Sequence, residues 1–170
     1  MIAALDVCYG PEPSPEAAAA CVLFQRWTDA AEVDARVVRI RDVAPYEPGA
    51  FYRRELPCLL AAIAAVASPL EVVVVDGYVW LSADGRPGLG AHLFEALGRG
   101  TPVVGVAKTS FTGSAFAEPV LRGGSARPLY VPAAGVDAPT AARWVRGMDG
   151  PHRIPTLLKR VDRLCRDAMG

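Results

Sequence analysis

The chain opens on an apolar run, Ile2 to Cys8, broken by Asp6 and followed by a turn cluster of Gly10, Pro11, Pro13, Ser14 and Pro15. That is the pattern of a buried strand leading into a loop. Ala18 to Trp27 reads two ways: its alanines favour a helix, whereas Cys21, Val22, Leu23 and Phe24 before the Asp29 turn favour a strand about as strongly. From Val33 to Ile40, Val33, Ala35 and Val37 alternate with Asp34 and Arg36, predicting a further antiparallel strand. Pro45-Tyr46-Glu47-Pro48-Gly49 fixes a bent, exposed loop, because proline and glycine at this density exclude regular structure. Leu56, Leu59, Leu60, Ile63 and Val66 then recur at helical spacing, with Pro57 placed in the first turn and Ser68-Pro69 ending the helix.

Val72 to Val75 is a β-branched run that suits a strand buried on both faces, and it stops at Asp76-Gly77. Leu89, Leu93 and Leu97 mark a second helix closed by Gly98 and Gly100, and Val103 to Val106 is another buried strand. Lys108 to Arg127, rich in Gly, Ser, Thr and Pro, predicts a long surface loop able to hold a hairpin. A short strand at Leu129 to Val131 follows. Asp137-Ala138-Pro139 starts a helix running to Arg146, and a last helix spans about Pro155 to Arg166. Two or three antiparallel strands followed by strands alternating with helices predict an α/β fold, one mixed sheet flanked by helices. The expectation is a single domain over residues 1–170.

Composition narrows the functional classes. Eighteen basic and eighteen acidic residues cancel, so any site for a polyanion is local. The apolar stretch from Leu59 to Val75 is broken by Ser68, Pro69 and Glu71 and does not predict a membrane span, and Asp6 argues against a signal peptide. Cys8, Cys21, Cys58 and Cys165 stand far apart, outside any C-x-x-C or zinc-ligand spacing, and read as reduced thiols of a cytoplasmic protein. With His92 and His152 the only histidines, carboxylates are left as candidate metal ligands.

Familiar motifs fail. Gly105-Val106-Ala107-Lys108-Thr109 lacks the spacing of a phosphate-binding loop, Gly88-Leu89-Gly90 lacks the third glycine of a dinucleotide fingerprint, and there is no G-x-S-x-G elbow. What stands out is acids where buried strands normally carry none. Asp6 lies within the first strand and Asp76 at the carboxyl end of the most apolar one, the end where α/β sheets place ligands. Alone, either is a strand end or a turn; together, with Glu55 at a helix start, they favour a cation site, since burying carboxylates is costly without one. Glu55 also suits a helix N-terminus, Lys108 a surface position or a phosphate contact, and Asp137 an N-cap.

Five pieces in order carry a resemblance to the endonuclease V family across nearly the whole chain. Leu5-Asp6-Val7 with Tyr9 resembles its first-strand motif, and Pro45 to Gly49 through Arg54-Glu55-Leu56-Pro57 its wedge loop and following glutamate. Val75-Asp76-Gly77, Gly105-Val106-Ala107-Lys108, and Val136-Asp137 with Ala141 and Trp144-Val145 match as well. The resemblance implies an RNase H-like fold in which Asp6, Glu55, Asp76 and Asp137 form the acidic cluster. Asp6, Glu55 and Asp76 are then the ligands of Mg²⁺ or Mn²⁺, and Lys108 steadies the phosphate. It also implies that Tyr46, flanked by Pro45 and Gly49, is the wedge filling the gap of a displaced base, with Gly77 and Tyr78 at the nucleic acid. The implied reaction cuts the second phosphodiester bond 3′ to inosine in DNA or RNA, leaving 3′-hydroxyl and 5′-phosphate ends, in a monomer. The basic residues of the last helix, with Arg53 and Arg54, suit contacts to the nucleic-acid backbone.

The chain departs from the family after Asp76-Gly77, where Tyr78-Val79-Trp80-Leu81 replaces His-Gly and a further histidine is lost. Ala133-Ala134-Gly135 replaces Gly-His-Arg, one residue shorter, and the chain opens directly on the first strand instead of the usual amino-terminal helix. These changes bear on base recognition more than on the acids. They leave as alternatives a nucleic-acid-binding relative with lost or altered nuclease activity, and a nuclease for another lesion or a single-stranded end on which Tyr78 and Trp80 stack.

Overall fold

The computed structural model describes residues 1–11, 15–110 and 116–170. In chain order the described elements begin with β1 (Ile2–Tyr9), β2 (Ala17–Phe24), β3 (Asp34–Ile40), α1 (Tyr52–Ala64), β4 (Val72–Asp76) and α2 (Leu89–Ala96). They continue with β5 (Val103–Val106), β6 (Glu118–Val120), β7 (Leu129–Val131), β8 (Ala133–Ala134), α3 (Ala138–Gly147) and α4 (Thr156–Met169). Six strands form one sheet in the order β3-β2-β1-β4-β5-β8; β6 and β7 form a separate pair. The β1, β2 and β3 neighbours are antiparallel, β1-β4 and β4-β5 parallel, and β5-β8 antiparallel. This is the mixed sheet of an RNase H-like fold.

The sheet is covered on both faces, and side-chain alternation sorts the residues between them. Leu5, Val7, Ala19, Cys21, Leu23, Val73 and Val75 pack under Cys58, Leu59 and Ala62 of α1 and Leu89 and Leu93 of α2. Ile2, Ala4, Ala20, Val22, Phe24, Val72 and Val74 pack under Ala141 and Val145 of α3 and Leu157, Val161 and Cys165 of α4. All eight residues of β2 are buried. That decides the ambiguous alanine run: between β1 and β3, under helices on both faces, small side chains fit a crowded strand, and tertiary packing overrides alanine's helix propensity.

One expectation needs correction, and beyond β5 the chain carries two short strands that periodicity does not mark. Helix α1 begins at Tyr52, so Pro57 lies in its second turn, and the helix ends at Ala64 rather than reaching Val66. Strand β8 has two residues, too few for periodicity to register. The loop from Lys108 holds β6, which pairs with β7 as a hairpin, while the part at residues 111–115, like Pro13 and Ser14 of the first turn cluster, lies outside the described residues. Two arginines hold the connections beyond β5. Arg122, 8% exposed, donates to the carbonyls of Met148, His152 (2.9 Å) and Arg153 (3.2 Å), shaping the turn between α3 and α4. Arg153 from that turn donates to the carbonyls of Lys108, Arg127 (2.9 Å) and Pro128 (2.8 Å).

Candidate active site

The register of the central strands brings the first two acids together. Strands β1 and β4 run parallel with Leu5 opposite Val75, so the next residues stand side by side, Asp6 midway along β1 and Asp76 at the carboxyl end of β4. Both share the sheet face of Ile2, Ala4, Val72 and Val74, which faces α4. There they line a cavity of about 150 Å³ with Lys108, Lys159, Asp162 and Arg166. The Asp6 carboxylate accepts from the Val7 amide at 2.9 Å, and Lys108 Nζ donates to Asp76 at 2.5 Å.

Glu55 approaches Asp76 from the opposite side of the sheet. It is 8% exposed in α1, and it lines a second, larger cleft of about 460 Å³ with Asp76, Gly77, Tyr78, Tyr52, Phe51 and Leu89, bordered also by Gly49 and Gly88. Asp76 therefore forms part of the wall of both cavities. Burial first, then the charges of Asp6 and Asp76, push the Glu55 carboxyl up to about 8. Burial and then Asp76 push Asp6 up to about 6, against the lowering effects of the Val7 amide and Lys108. Burial alone would depress the Lys108 ammonium, but its hydrogen bond to Asp76 and the charges of Asp76 and Asp6 leave it raised. Asp6 and Glu55 thus approach Asp76 from opposite sides and their ionised forms burden one another, but the three carboxylates do not have oxygens all within 4.8 Å of one another, so side-chain rotation is needed before they could share one cation.

Asp137 is not brought to this cluster. Its carboxylate accepts from the Thr140 amide at 2.9 Å and caps α3, with Pro139 in the first turn. Local capping keeps it pointed at its own helix, and it lines neither cavity. The fourth acid present is Asp162 of α4, whose charge acts on Asp6 and whose side chain is held by Arg166 through bonds of 2.9–3.0 Å. An i, i+4 Asp-Arg pair on an amphipathic helix looks in sequence like an ordinary solvent face, so nothing short of the packing of α4 against β1 marks it out.

Of the loop residues, Gly49, Gly77 and Tyr78 line the larger cleft, whereas Tyr46 does not. Tyr46 is 58% exposed, with its ring tilted against Phe51 at 6.3 Å, and Phe51 in turn meets Tyr9 edge-on. Tyr78 lines the cleft and its hydroxyl donates to the Thr109 carbonyl. The next two residues turn away: Val79 is fully buried against Ala91 and Ala134, and the Trp80 indole N–H donates to the Ala133 carbonyl at 3.0 Å. Trp80 is thus tied to β8 and lines neither cavity. Gly105 is required where it stands, since a Cβ there would clash with the Gly77 carbonyl oxygen. Of the basic residues singled out in the sequence, Arg53, Arg160, Arg163 and Arg166 pair with Glu47, Glu32, Asp167 and Asp162, Arg54 lies over the Tyr9 ring, and Lys159 and Arg166 stand with Lys108 along the smaller cavity.

A family model described as Endonuclease V matches residues 1–148. The chain belongs to the endonuclease V family. Endonuclease V of Streptomyces avermitilis is 34% identical over 192 residues, covering 99% of this chain and 80% of that protein. Endonuclease V of Streptomyces coelicolor is 34% identical over 194 residues, covering 99% and 78%. The crystal structure of the Streptomyces avermitilis endonuclease V matches with a TM-score of 0.77 at 30% identity, over 98% of this chain and 80% of that one. Endonuclease V of Ciona intestinalis, in complex with a 24mer DNA containing an inosine followed by a ribo-adenosine, shares the fold with a TM-score of 0.82 at 19% identity, over 98% and 84%. Membership of this family places the chain among endonuclease hydrolases. No helix among the described residues is long and apolar enough to cross a membrane.

Proposed function

We propose that this endonuclease V relative hydrolyses a phosphodiester bond 3′ to a deaminated purine or another base lesion, in DNA or RNA, using Mg²⁺ or Mn²⁺. The observation that carries this reading is the place of Asp76, in the wall between a small cavity lined by cations and a larger, more apolar cleft. A nucleotide whose base enters the larger cleft and whose 3′ phosphate lies along Lys108 and Lys159 brings its backbone across the acids. Asp6, Glu55 and Asp76 would hold the cation, with Asp162 beside them. When bound, the cation supplies activation of the attacking water and offsets charge gathering on the phosphate.

The chain's own groups do the rest. Lys108, held to Asp76 and fixed from behind by Arg153 on its carbonyl, places a positive charge beside a non-bridging oxygen. Attack by water on phosphorus breaks the bond to O3′, leaving a 3′-hydroxyl and a 5′-phosphate. Tyr46 at the rim of the cleft, with Phe51 behind it, suits a wedge in a distorted duplex. Tyr78 occupies part of the cleft that a His-Gly pair would leave open, which weakens selection for inosine. The protein acts in the cytoplasm as a monomer on this reading.

The test is a panel of labelled oligonucleotides carrying inosine, uracil, an abasic site or no lesion, incubated with Mg²⁺ or Mn²⁺. Metal-dependent cleavage 3′ to at least one lesion, abolished in Asp76→Asn, supports the proposal. No cleavage of any substrate by protein that binds Mn²⁺ refutes it in favour of a nucleic-acid-binding relative.

A further inference from the structure

The face of β1 that carries Asp6 also carries Cys8, two residues on, and α4 lays Cys165 over both. A carboxylate oxygen of Asp6 and the sulfur atoms of Cys8 and Cys165 all lie within 4.8 Å of one another. Both cysteines are free thiols, Cys165 fully buried and Cys8 half-buried. The Cys165 thiol donates to the carbonyls of Asp6 at 2.9 Å and Ala18 at 3.4 Å, which fixes its sulfur against the strand. Neither thiol lines either of the two cavities that meet at Asp76.

Two sulfurs and one carboxylate make a donor set different in kind from the oxygen cluster beside it. Thiolates select soft or borderline ions such as Zn²⁺ and Cd²⁺, and carboxylates complete such sites readily. Zinc–sulfur bonds of about 2.3 Å in a tetrahedron require sulfurs about 3.7 Å apart, so rotation of side chains by roughly 1 Å closes the cluster on an ion. Burial first, then the Asp6 charge, pushes both thiols up, against the opposing effect of the Ala20 and Cys8 backbone N–H groups at the Cys165 sulfur and of Arg166 near Cys8, so an ion binding there must displace the thiol protons. A fourth position is left to water from the adjoining cavity, the arrangement of three protein ligands and one open site.

We propose that Cys8, Cys165 and Asp6 form a second cation site, selective for thiophilic divalent ions, that draws the Asp6 carboxylate away from the hard-cation cluster. An ion held there makes Zn²⁺ or Cd²⁺ an inhibitor of Mg²⁺-supported cleavage. The binding site stands on these three residues, while the inhibition rests on the nuclease reading above.

Cadmium titration of the reduced full-length protein, followed by the ultraviolet thiolate-to-cadmium band, tests the site without any substrate. One ion per chain is expected, in wild type and equally in the Cys21→Ala/Cys58→Ala double variant. Cys8→Ala and Cys165→Ala each lose the band; Cys8→Ala serves if Cys165→Ala, altering a buried position, fails to fold. Under Mg²⁺, Cys8→Ala cleaves as wild type does but is at least roughly tenfold less sensitive to Zn²⁺. No band in wild type, or a band unchanged in Cys8→Ala, overturns the site, and equal Zn²⁺ inhibition of wild type and Cys8→Ala overturns its link to Asp6. Cadmium binding through Cys8 in a protein that cleaves nothing upholds the site and refutes the nuclease reading instead.

Discussion

Neutralising Glu55 should change how the metal-free protein responds to pH. Glu55 is 8% exposed, and its carboxyl is pushed from 4.5 in the unfolded chain to about 8 in the fold. A raised folded value means that the native state holds the proton more tightly than the unfolded one. The associated stability is complete below about pH 4.5 and is lost as pH climbs through 8. At 1.36 kcal/mol per unit, the loss is on the order of 5 kcal/mol once Glu55 is fully ionised. For a chain of this size that is a fall in Tm on the order of 10 °C. Asp6, raised to about 6, adds in the same direction over the lower part of the range. Thermal unfolding followed by circular dichroism, in chelator, from pH 5 upward, should show this fall in wild type. In Glu55→Gln the decline above pH 6 should largely disappear, leaving the variant more stable than wild type at alkaline pH. Saturating Mg²⁺ should remove most of the wild-type decline, because it binds the ionised form. A Tm in chelator that is flat with pH, or a slope unchanged in Glu55→Gln, would refute the reasoning.

Further outcomes follow from the same geometry. Mg²⁺ or Mn²⁺ should raise the Tm of wild type, and Asp76→Asn should abolish the rise, as thermal shift would show. Asp137→Ala should cost about 1 kcal/mol as a lost helix cap and leave cleavage intact, whereas Asp162→Asn should lower cleavage with little effect on Tm, a contrast that denaturation and rate measurements read directly. Tyr46→Ala should weaken binding to a mismatched duplex by the roughly 1–3 kcal/mol of one base–aromatic stack, while calorimetry finds metal affinity unchanged. Tyr78→His should improve discrimination of inosine over guanine in matched oligonucleotides. Adding Val79→Gly should cost on the order of 2 kcal/mol, because Val79 fills a buried space beside Ala91 and Ala134 instead of lining the cleft.

The parts of this molecule legible in sequence are those whose signal is local. Valine runs mark β4 and β5 because both faces of those strands are buried, and an acid ending such a run marks the site, because burial makes a carboxylate there expensive. Asp137 reads as an N-cap from Pro139 alone, and its capping bond shows why the same residue does not double as a ligand. What escapes the sequence is set by contacts between distant segments. Asp162 looks like a surface acid until α4 crosses β1, Cys8 and Cys165 meet only across that same contact, and Arg122 is buried by carbonyls from a turn some thirty residues away. Tyr78, Val79 and Trp80 are adjacent in sequence, yet only Tyr78 faces the cleft, a division fixed by the bond of Trp80 to β8 and the close approach of Gly90 to Val79.

Whether Asp6, Glu55 and Asp76 together hold one hard cation is measured directly by Mn²⁺ titration calorimetry of wild type against single variants. Wild type should bind Mn²⁺, and Asp6→Asn and Asp76→Asn should each lose more affinity than the roughly 10–100-fold that removing an outer-shell partner costs. Asp137→Ala should bind as wild type does. Mn²⁺ affinity that survives unchanged in Asp6→Asn or Asp76→Asn, or that collapses in Asp137→Ala, would contradict the site described here.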